Sequence, residues 1–100
     1  MTQLMLRPGR VVMTNHMAAA IEDVPERLDE IDDCFIKHLQ GDFSGMEFAE
    51  DRKLNEVAFK TGEGRVFTDF QTSFGKIWII TDQRENPLDN TTTILFPEDY

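Results

Sequence analysis

The most regular hydrophobic pattern of the chain lies in IEDVPERLDEIDDCFIKHL, residues 21–39. Its apolar residues recur at spacings of four, three, four and four, which keeps them on one face of a helix that turns by about 100° per residue. Pro25 suits the first turn of such a helix, and Gly41 suits the left-handed position after its end. The segment therefore predicts an amphipathic helix with the inward residues Val24, Leu28, Ile31, Phe35 and Leu39.

The opposite side of this helix is acidic. Its acids lie toward the N-terminal end, whereas Lys37 and His38 lie toward the C-terminal end, and this polarity matches the helix dipole. An ordinary solvated helix face thus explains most of the pattern, and a phosphate mimic for a basic partner is the alternative. The acidic face, as we name it, comprises Glu22, Glu26, Asp29, Glu30 and Asp33.

Two further helices are predicted on either side. Thr14 or Asn15 can cap a short helix over HMAAAIE, residues 16–22. A third helix is expected from about Ala49 to Lys60, ended by Gly62. Its expected inward residues are Leu54, Val57 and Ala58, with Phe59 as a further candidate.

The period then changes to that of strands. RVFTDFQT, residues 65–72, alternates through Val66, Thr68 and Phe70 or, in the other register, through Phe67 and Asp69. KIWIIT is apolar enough for a central strand, and TTTILF is rich in β-branched residues. The short connection SFG joins the first two strands, whereas DQRENPLDN is too long for a tight hairpin.

The order of these elements predicts the fold class. A strand over Arg10 to Met13, then helices, then three consecutive strands is typical of an α+β domain. We expect an antiparallel meander of three strands, the N-terminal strand added at an edge, and two to three helices packed on one face. One hundred residues, 40% of them hydrophobic, suit a single domain over residues 1–100.

Charge and composition narrow the class of partner. The formal charge of −9, from 19 acids and 10 bases, argues against direct nucleic-acid binding, which needs clustered Lys and Arg. Only Arg52 and Lys53 are adjacent bases. The chain has neither a signal-peptide run in its first 17 residues nor an apolar stretch of membrane length, and Cys34 is its single cysteine. We therefore expect a cytoplasmic protein that contacts no membrane.

Candidate catalytic and metal chemistry is sparse. Cys34 and His38 are one helical turn apart, and His16 could add a third metal ligand, but no CxxC or HxxxH spacing accompanies them. Thiol catalysis would also need an orienting group and an oxyanion hole. We expect a buried thiol and a histidine at the edge of the core, with no catalytic residue, no metal and no cofactor.

A small-ligand pocket is the second kind of site that we consider. Trp78 lies mid-strand, where a sheet-face aromatic or a ligand-stacking ring is the usual role. Pro97 ends the last strand, so Tyr100 is expected to lie exposed or folded back on the surface. With Arg84 these two aromatics are predicted to line a pocket between the meander and the 82–90 loop.

The motifs GKIWIIT and TTILFPEDY, with GDF and LNEVAF before them, resemble a family of short uncharacterised bacterial, plasmid and phage proteins. Members often carry the automatic labels "plasmid-related protein" or "type I restriction endonuclease subunit M". The resemblance covers most of residues 41–100 and implies a mobile-element setting, although a chain of this length cannot hold a methyltransferase. Phe43 stands where the family usually has Trp, and the 82–90 connection is longer than usual.

Three functions follow as hypotheses. The leading one is a small acidic, non-enzymatic protein of a phage or plasmid that binds and inhibits a host defence protein, such as a CRISPR effector or a restriction enzyme, through its acidic face. The second is a binding or sequestering protein for a small nucleotide-like ligand, with Trp78, Arg84 and Tyr100 in its pocket. The third is a plain interaction module that forms a homodimer through an edge strand.

Overall fold

Three helices and one four-stranded sheet make up the computed structural model, which describes residues 5–44, 46 and 48–100. The strands run in the order β1-β4-β3-β2, with β2, β3 and β4 antiparallel and β1 parallel to β4 at the edge. The predicted α+β fold, a three-stranded meander with an added edge strand, is confirmed. Its elements are β1 (Arg10–Met13), α1 (Asn15–Asp23), α2 (Arg27–Leu39), α3 (Ala49–Thr61), β2 (Gly64–Thr72), β3 (Gly75–Gln83) and β4 (Thr91–Leu95), with single 3-10 turns at Pro87–Asp89 and Pro97–Asp99.

The sheet buries one face under α1 and α2. Thr68 pairs with Ile79, and Ile79 pairs with Ile94, so these three side chains share that face. Of the two registers open to β2, the fold uses the one with Val66, Thr68 and Phe70 toward the helices, because the other would bring Asp69 into the core. The core on this face comprises Met17, Ile31, Ile77, Ile79, Ile94 and Phe96.

The inward face of α2 differs from the predicted one. Leu28, predicted inward, is 42% exposed, whereas His38, predicted at the edge of the core, is fully buried. Val24 lies outside the helix, as the residue that ends α1. The contact face is rotated toward His38 because the sheet offers hydroxyl partners to its ring, from Thr68 and Thr81.

The prediction for α3 is right in its bounds and only partly right in its inward face. Ala58 is buried and Phe59 packs against the core as predicted, but Leu54 and Val57 are 69% and 60% exposed, and Asn55 is buried in their place. The reason is that Asn55 pairs with the outer edge of β2: its Oδ1 accepts from the Phe67 N–H at 3.0 Å and its Nδ2 donates to the Phe67 carbonyl. An amide side chain here replaces a neighbouring strand and protects the edge.

Asn90 holds the N-terminal segment against the loop that precedes β4. Its carbonyl accepts from the Arg10 N–H at 2.9 Å, and its side chain donates to the Arg7 carbonyl and accepts from the Arg84 N–H. Gly9 lies so close, at φ +62°, that a Cβ would stand 1.9 Å from the Asn90 oxygen. Only glycine fits this approach.

The longest helices of the described residues, α2 and α3, have 13 residues each. Within residues 5–44, 46 and 48–100, none of the helices combines the length and the apolar character that crossing a bilayer requires.

Candidate functional site

The acidic face predicted on one helix is divided among three elements. Glu22 belongs to α1, Glu26 lies in the turn before α2, and only Asp29, Glu30 and Asp33 lie on α2 itself. The chain bends between the helices because the Arg27 N–H donates to the Val24 carbonyl at 3.0 Å in a turn. The prediction of a continuous stripe of five carboxylates along one helix is therefore wrong.

Glu30 also has a structural role that its sequence position does not reveal. One carboxylate oxygen accepts from the Ser73 N–H at 2.8 Å and the other accepts from the Ser73 hydroxyl at 2.5 Å. These hydrogen bonds hold the pKa of Glu30 below its ordinary value. The carboxylate fastens α2 to the β2–β3 turn.

The remaining acids of α2 form a mixed acidic and apolar surface. We name it the outer face of α2, comprising Leu28, Asp29, Asp32, Asp33 and Ile36. Residues four apart lie one above the other on a helix, so Asp32 stands between Leu28 and Ile36, which are 42% and 48% exposed. Among the residues that the structure describes, none of these three carboxylates forms a salt bridge. The outer face therefore presents uncompensated charge beside exposed aliphatic side chains.

The predicted pocket around Trp78 is only partly assembled. Tyr100 folds back so that its ring centroid lies 5.6 Å from that of Trp78, and Phe67 packs edge-on against Trp78 from the other side at 4.9 Å. Arg84 lies six residues beyond Trp78, about 20 Å along an extended strand. The structure thus brings Trp78 and Tyr100 together but does not place Arg84 with them.

Arg65 occupies the place that was predicted for Arg84. Its Nη1 donates to the Tyr100 hydroxyl at 2.8 Å, and its Nε donates to Asp82 at 2.9 Å. This pairing was open to prediction: counting outward from the two-residue turn Ser73-Phe74 sets Arg65 opposite Asp82, and opposite charges favour cross-strand pairing. The Trp78 Nε1 is buried and has no acceptor among the described residues.

His38 is the centre of a buried chain of hydroxyl groups. Its Nδ1 lies 2.6 Å from Thr68 Oγ1 and its Nε2 lies 2.8 Å from Thr81 Oγ1. Thr81 continues to Thr92 at 2.7 Å, and Thr92 donates to the Pro8 carbonyl at 2.8 Å. Because a carbonyl only accepts, every proton along the chain points toward Pro8, and the ring is the Nε2–H tautomer with Thr68 donating to Nδ1.

Burial lowers the pKa of His38 to about 4, so the ring is neutral at pH 7. Both of its nitrogens have hydroxyl partners, and Cys34 beside it is a half-buried thiol whose pKa is raised by burial. His16 instead pairs with Asp99 at 2.9 Å. Within the described ranges, Cys34, His38 and His16 do not come together as a metal site.

The C-terminal motif PEDY folds onto the start of α1. Asp99 accepts hydrogen bonds from the Thr14 hydroxyl at 2.8 Å, from His16 Nδ1 at 2.9 Å and from the Phe96 N–H at 3.2 Å. Although partial burial raises the pKa of Asp99, these hydrogen bonds outweigh it and the pKa lies below its ordinary value. Asp99 therefore fixes the tail that carries Tyr100.

A cleft of about 440 Å³ opens beside this tail, between α1, the β2–β3 turn and the 3-10 turn Pro97–Asp99. Arg27, Lys76 and His16 bring basic side chains to it, and Phe74 and Phe96 bring aromatic rings, 6.1 Å apart between centroids. No sequence pattern marks this cleft, because its residues come from four separated segments of the chain.

Comparisons with protein-family models, with curated proteins and with solved structures gave no match for this chain. The resemblance to short plasmid and phage proteins therefore stays a prediction.

Proposed function

We propose that this chain is a non-enzymatic binding protein that attaches to a basic surface of a host protein through the outer face of α2. The single observation that supports the proposal most is the combination of Asp29, Asp32 and Asp33, which form no salt bridge within the described residues, with Leu28 and Ile36 exposed among them. Leu54 and Val57 on α3 are more exposed still, so the support comes from the combination of aliphatic residues with these three carboxylates and not from exposure alone.

The proposed mechanism has two parts. Uncompensated carboxylates raise the rate of encounter with a basic partner, an effect that weakens as salt screens the charges. The aliphatic side chains then lose their contact with water at the centre of the interface, which slows dissociation. Glu30 takes no part, because its carboxylate is committed to Ser73.

The biological setting is part of the same proposal. The resemblance of GKIWIIT and TTILFPEDY to mobile-element proteins, together with the net charge of −9, favours a phage or plasmid protein that acts in the cytoplasm. Its partner would be a host defence nuclease whose basic channel normally follows a phosphate backbone.

A phage-plating assay tests this function. Bacteria that each carry one defence system, CRISPR or restriction, express the protein and are challenged with a sensitive phage. We expect one system to lose its protection, and we expect the combined substitution Asp29→Asn, Asp32→Asn and Asp33→Asn to restore it. The matched control neutralises three exposed acids elsewhere, Glu50, Glu56 and Glu85, each to Gln.

The control should inhibit as well as the wild-type chain, because the same three charges are removed from other surfaces. Equal inhibition by all three chains would contradict the role of the outer face. Full protection by every defence system in the presence of the wild-type chain would contradict the defence-inhibitor function itself.

A further inference from the structure

Arg27 reaches the cleft beside α1 as a fixed cation. Its Cζ lies 5.1 Å from the centre of the Phe74 ring, and its Nη1 donates to the Ala20 carbonyl at 2.9 Å. Asp23 stands at 3.9 Å, beyond hydrogen-bond distance. A guanidinium has five N–H donors, and among the described residues only the Ala20 bond is made by this one. Asp23 forms a long ion pair with Nη1, and the other donors of this guanidinium have no hydrogen-bond acceptor among the described residues.

His16 adds a second ring at the same cleft. Its Nδ1 donates to Asp99, because a carboxylate only accepts, and its ring lies 4.5 Å from that of Phe96 between centroids. The ring position is therefore fixed, and Nε2 is the atom left for a ligand. The Asp99 carboxylate accepts hydrogen bonds from three donors and keeps its negative charge, so the cleft favours an anion with few charges over one with many.

Aromatic rings and a cation at one concave surface favour a particular kind of molecule. The volume of about 440 Å³ falls among those of small-molecule pockets, which are lined mainly by apolar and aromatic side chains with a few polar groups. The planar fork of an arginine matches the two oxygens of a carboxylate or phosphate. The half-buried ring of Phe74 and the small exposed part of Phe96 offer an apolar wall for a flat ring.

We propose that this cleft binds a small organic anion with one oxyanion group, a carboxylate or a phosphate monoester, attached to a flat ring. Arg27 pairs with the oxyanion, and Phe74, Phe96 and His16 pack against the ring. Lys76, the other cation of the cleft, pairs with Asp69 at 3.5 Å, which leaves Arg27 as the main partner for an oxyanion. Glu98, which also lines the cleft, and the net charge of −9 select against ligands with several phosphates. This site is separate from the outer face of α2 and from the pocket predicted at Trp78.

Titrations followed by two-dimensional amide NMR test the proposal at constant ionic strength. The probes are benzoate and adenosine 5′-monophosphate, with benzamide and adenosine as their uncharged counterparts. We expect at least one anion to shift the amide signals of Ala20, Phe74 and Gly75 at millimolar concentration, and its uncharged counterpart to bind at least tenfold more weakly. If only benzoate binds, the site is a carboxylate site, and if only adenosine monophosphate binds, it is a phosphate site. Binding of both anions supports a site that accepts either oxyanion group.

Two substitutions locate the site. Arg27→Gln should weaken binding at least tenfold, whereas Arg84→Gln should change it less than twofold, because Arg84 is exposed and its backbone rather than its side chain bonds to Asn90. Arg27→Lys, which keeps the charge and loses the fork, should give an intermediate loss and serves if the Gln variant folds poorly. The proposal is overturned if neither anion binds, if the uncharged counterparts bind as tightly, or if both arginine positions matter equally.

Discussion

Both sides of α2 carry polar groups, and the fold treats them in opposite ways. On the inner side the one buried polar ring, His38, has both nitrogens bonded to threonine hydroxyls and is joined through Thr81 and Thr92 to the Pro8 carbonyl. On the outer side three carboxylates have no salt-bridge partner within the described residues. The inner side is explained by folding alone. The outer side is where we propose that a partner binds.

The largest effect is expected when the inner side is broken. His38→Ala removes a fully buried side chain and leaves the hydroxyls of Thr68 and Thr81 without their ring partner. Such a change should lower the free energy of unfolding by about 3–5 kcal/mol, measured by urea denaturation. His16→Ala, at an exposed position, is the matched control and should cost about 1 kcal/mol or less. Equal losses at both positions would refute a special role for the buried chain of hydroxyls.

The second-largest effect is expected from acid, which should lower the free energy of unfolding through His38. The unfolded chain takes up a proton at this histidine near pH 6.5, whereas His38 in the folded chain does so only near pH 4. Between these values the unfolded state binds more protons, so stability falls as the pH falls, by about 3 kcal/mol in total and about 2 kcal/mol by pH 5.

Urea denaturation at pH 7 and at pH 5 measures this loss. His38→Gln, which cannot titrate, is the control and should lose little over the same interval. The comparison stops near pH 5 because the lowered pKa values of Glu30, Asp42 and Asp99 add losses of the same sign in stronger acid. A variant that loses as much stability as the wild-type chain would show that His38 is not the group responsible.

Glu30 lies at the boundary between the two sides, and Glu30→Gln should behave as an inner-side change. The substitution weakens two hydrogen bonds to Ser73, so the melting temperature should fall measurably at pH 7 while partner binding stays unchanged. Asp33→Asn should instead weaken partner binding and leave the melting temperature unchanged. If the Glu30 variant keeps its melting temperature and loses partner binding, Glu30 belongs to the interface.

The smallest effect on stability is expected from the outer side. The combined substitution of Asp29, Asp32 and Asp33 by Asn should change the free energy of unfolding by less than about 1 kcal/mol, since exposed charges without partners contribute little and the helix-dipole contribution of Asp29 is small. Thermal unfolding in low and high salt measures this. A large loss would mean that the acids stabilise the helix and need no partner.

Periodicity and turn chemistry were sufficient to predict the architecture. The meander, the edge strand and the ends of α3 all follow from changes of period and from Gly62 and Gly75. The inward faces of α2 and α3 were harder to predict, because His38 and Asn55 are polar and a hydrophobicity pattern assigns polar residues to solvent. Each is buried because a specific hydrogen-bond partner meets it from a distant strand.

The candidate sites were also harder to predict from the sequence, because they too depend on contacts between distant segments. Counting from the β2–β3 turn would have found Arg65 opposite Asp82, so that part of the error was avoidable. The role of Glu30 and the cleft at Arg27 depend on where α1 and α2 lie against the sheet, which no spacing along the chain encodes. A local sequence pattern predicts single helices and strands. A site formed between them can be predicted only when their packing is known.

Affinity capture from a host lysate, compared between variants, tests the central claim most directly. The tagged wild-type chain, the Asn triple variant at Asp29, Asp32 and Asp33, and the control with Gln at Glu50, Glu56 and Glu85 are incubated with the same lysate, and eluted proteins are quantified at low and high salt. We expect the wild-type chain and the control to capture one basic nucleic-acid-binding protein at low salt and to release it at high salt. The triple variant should not capture this protein at either salt concentration. Capture of that protein in equal amounts by all three chains would contradict the proposal.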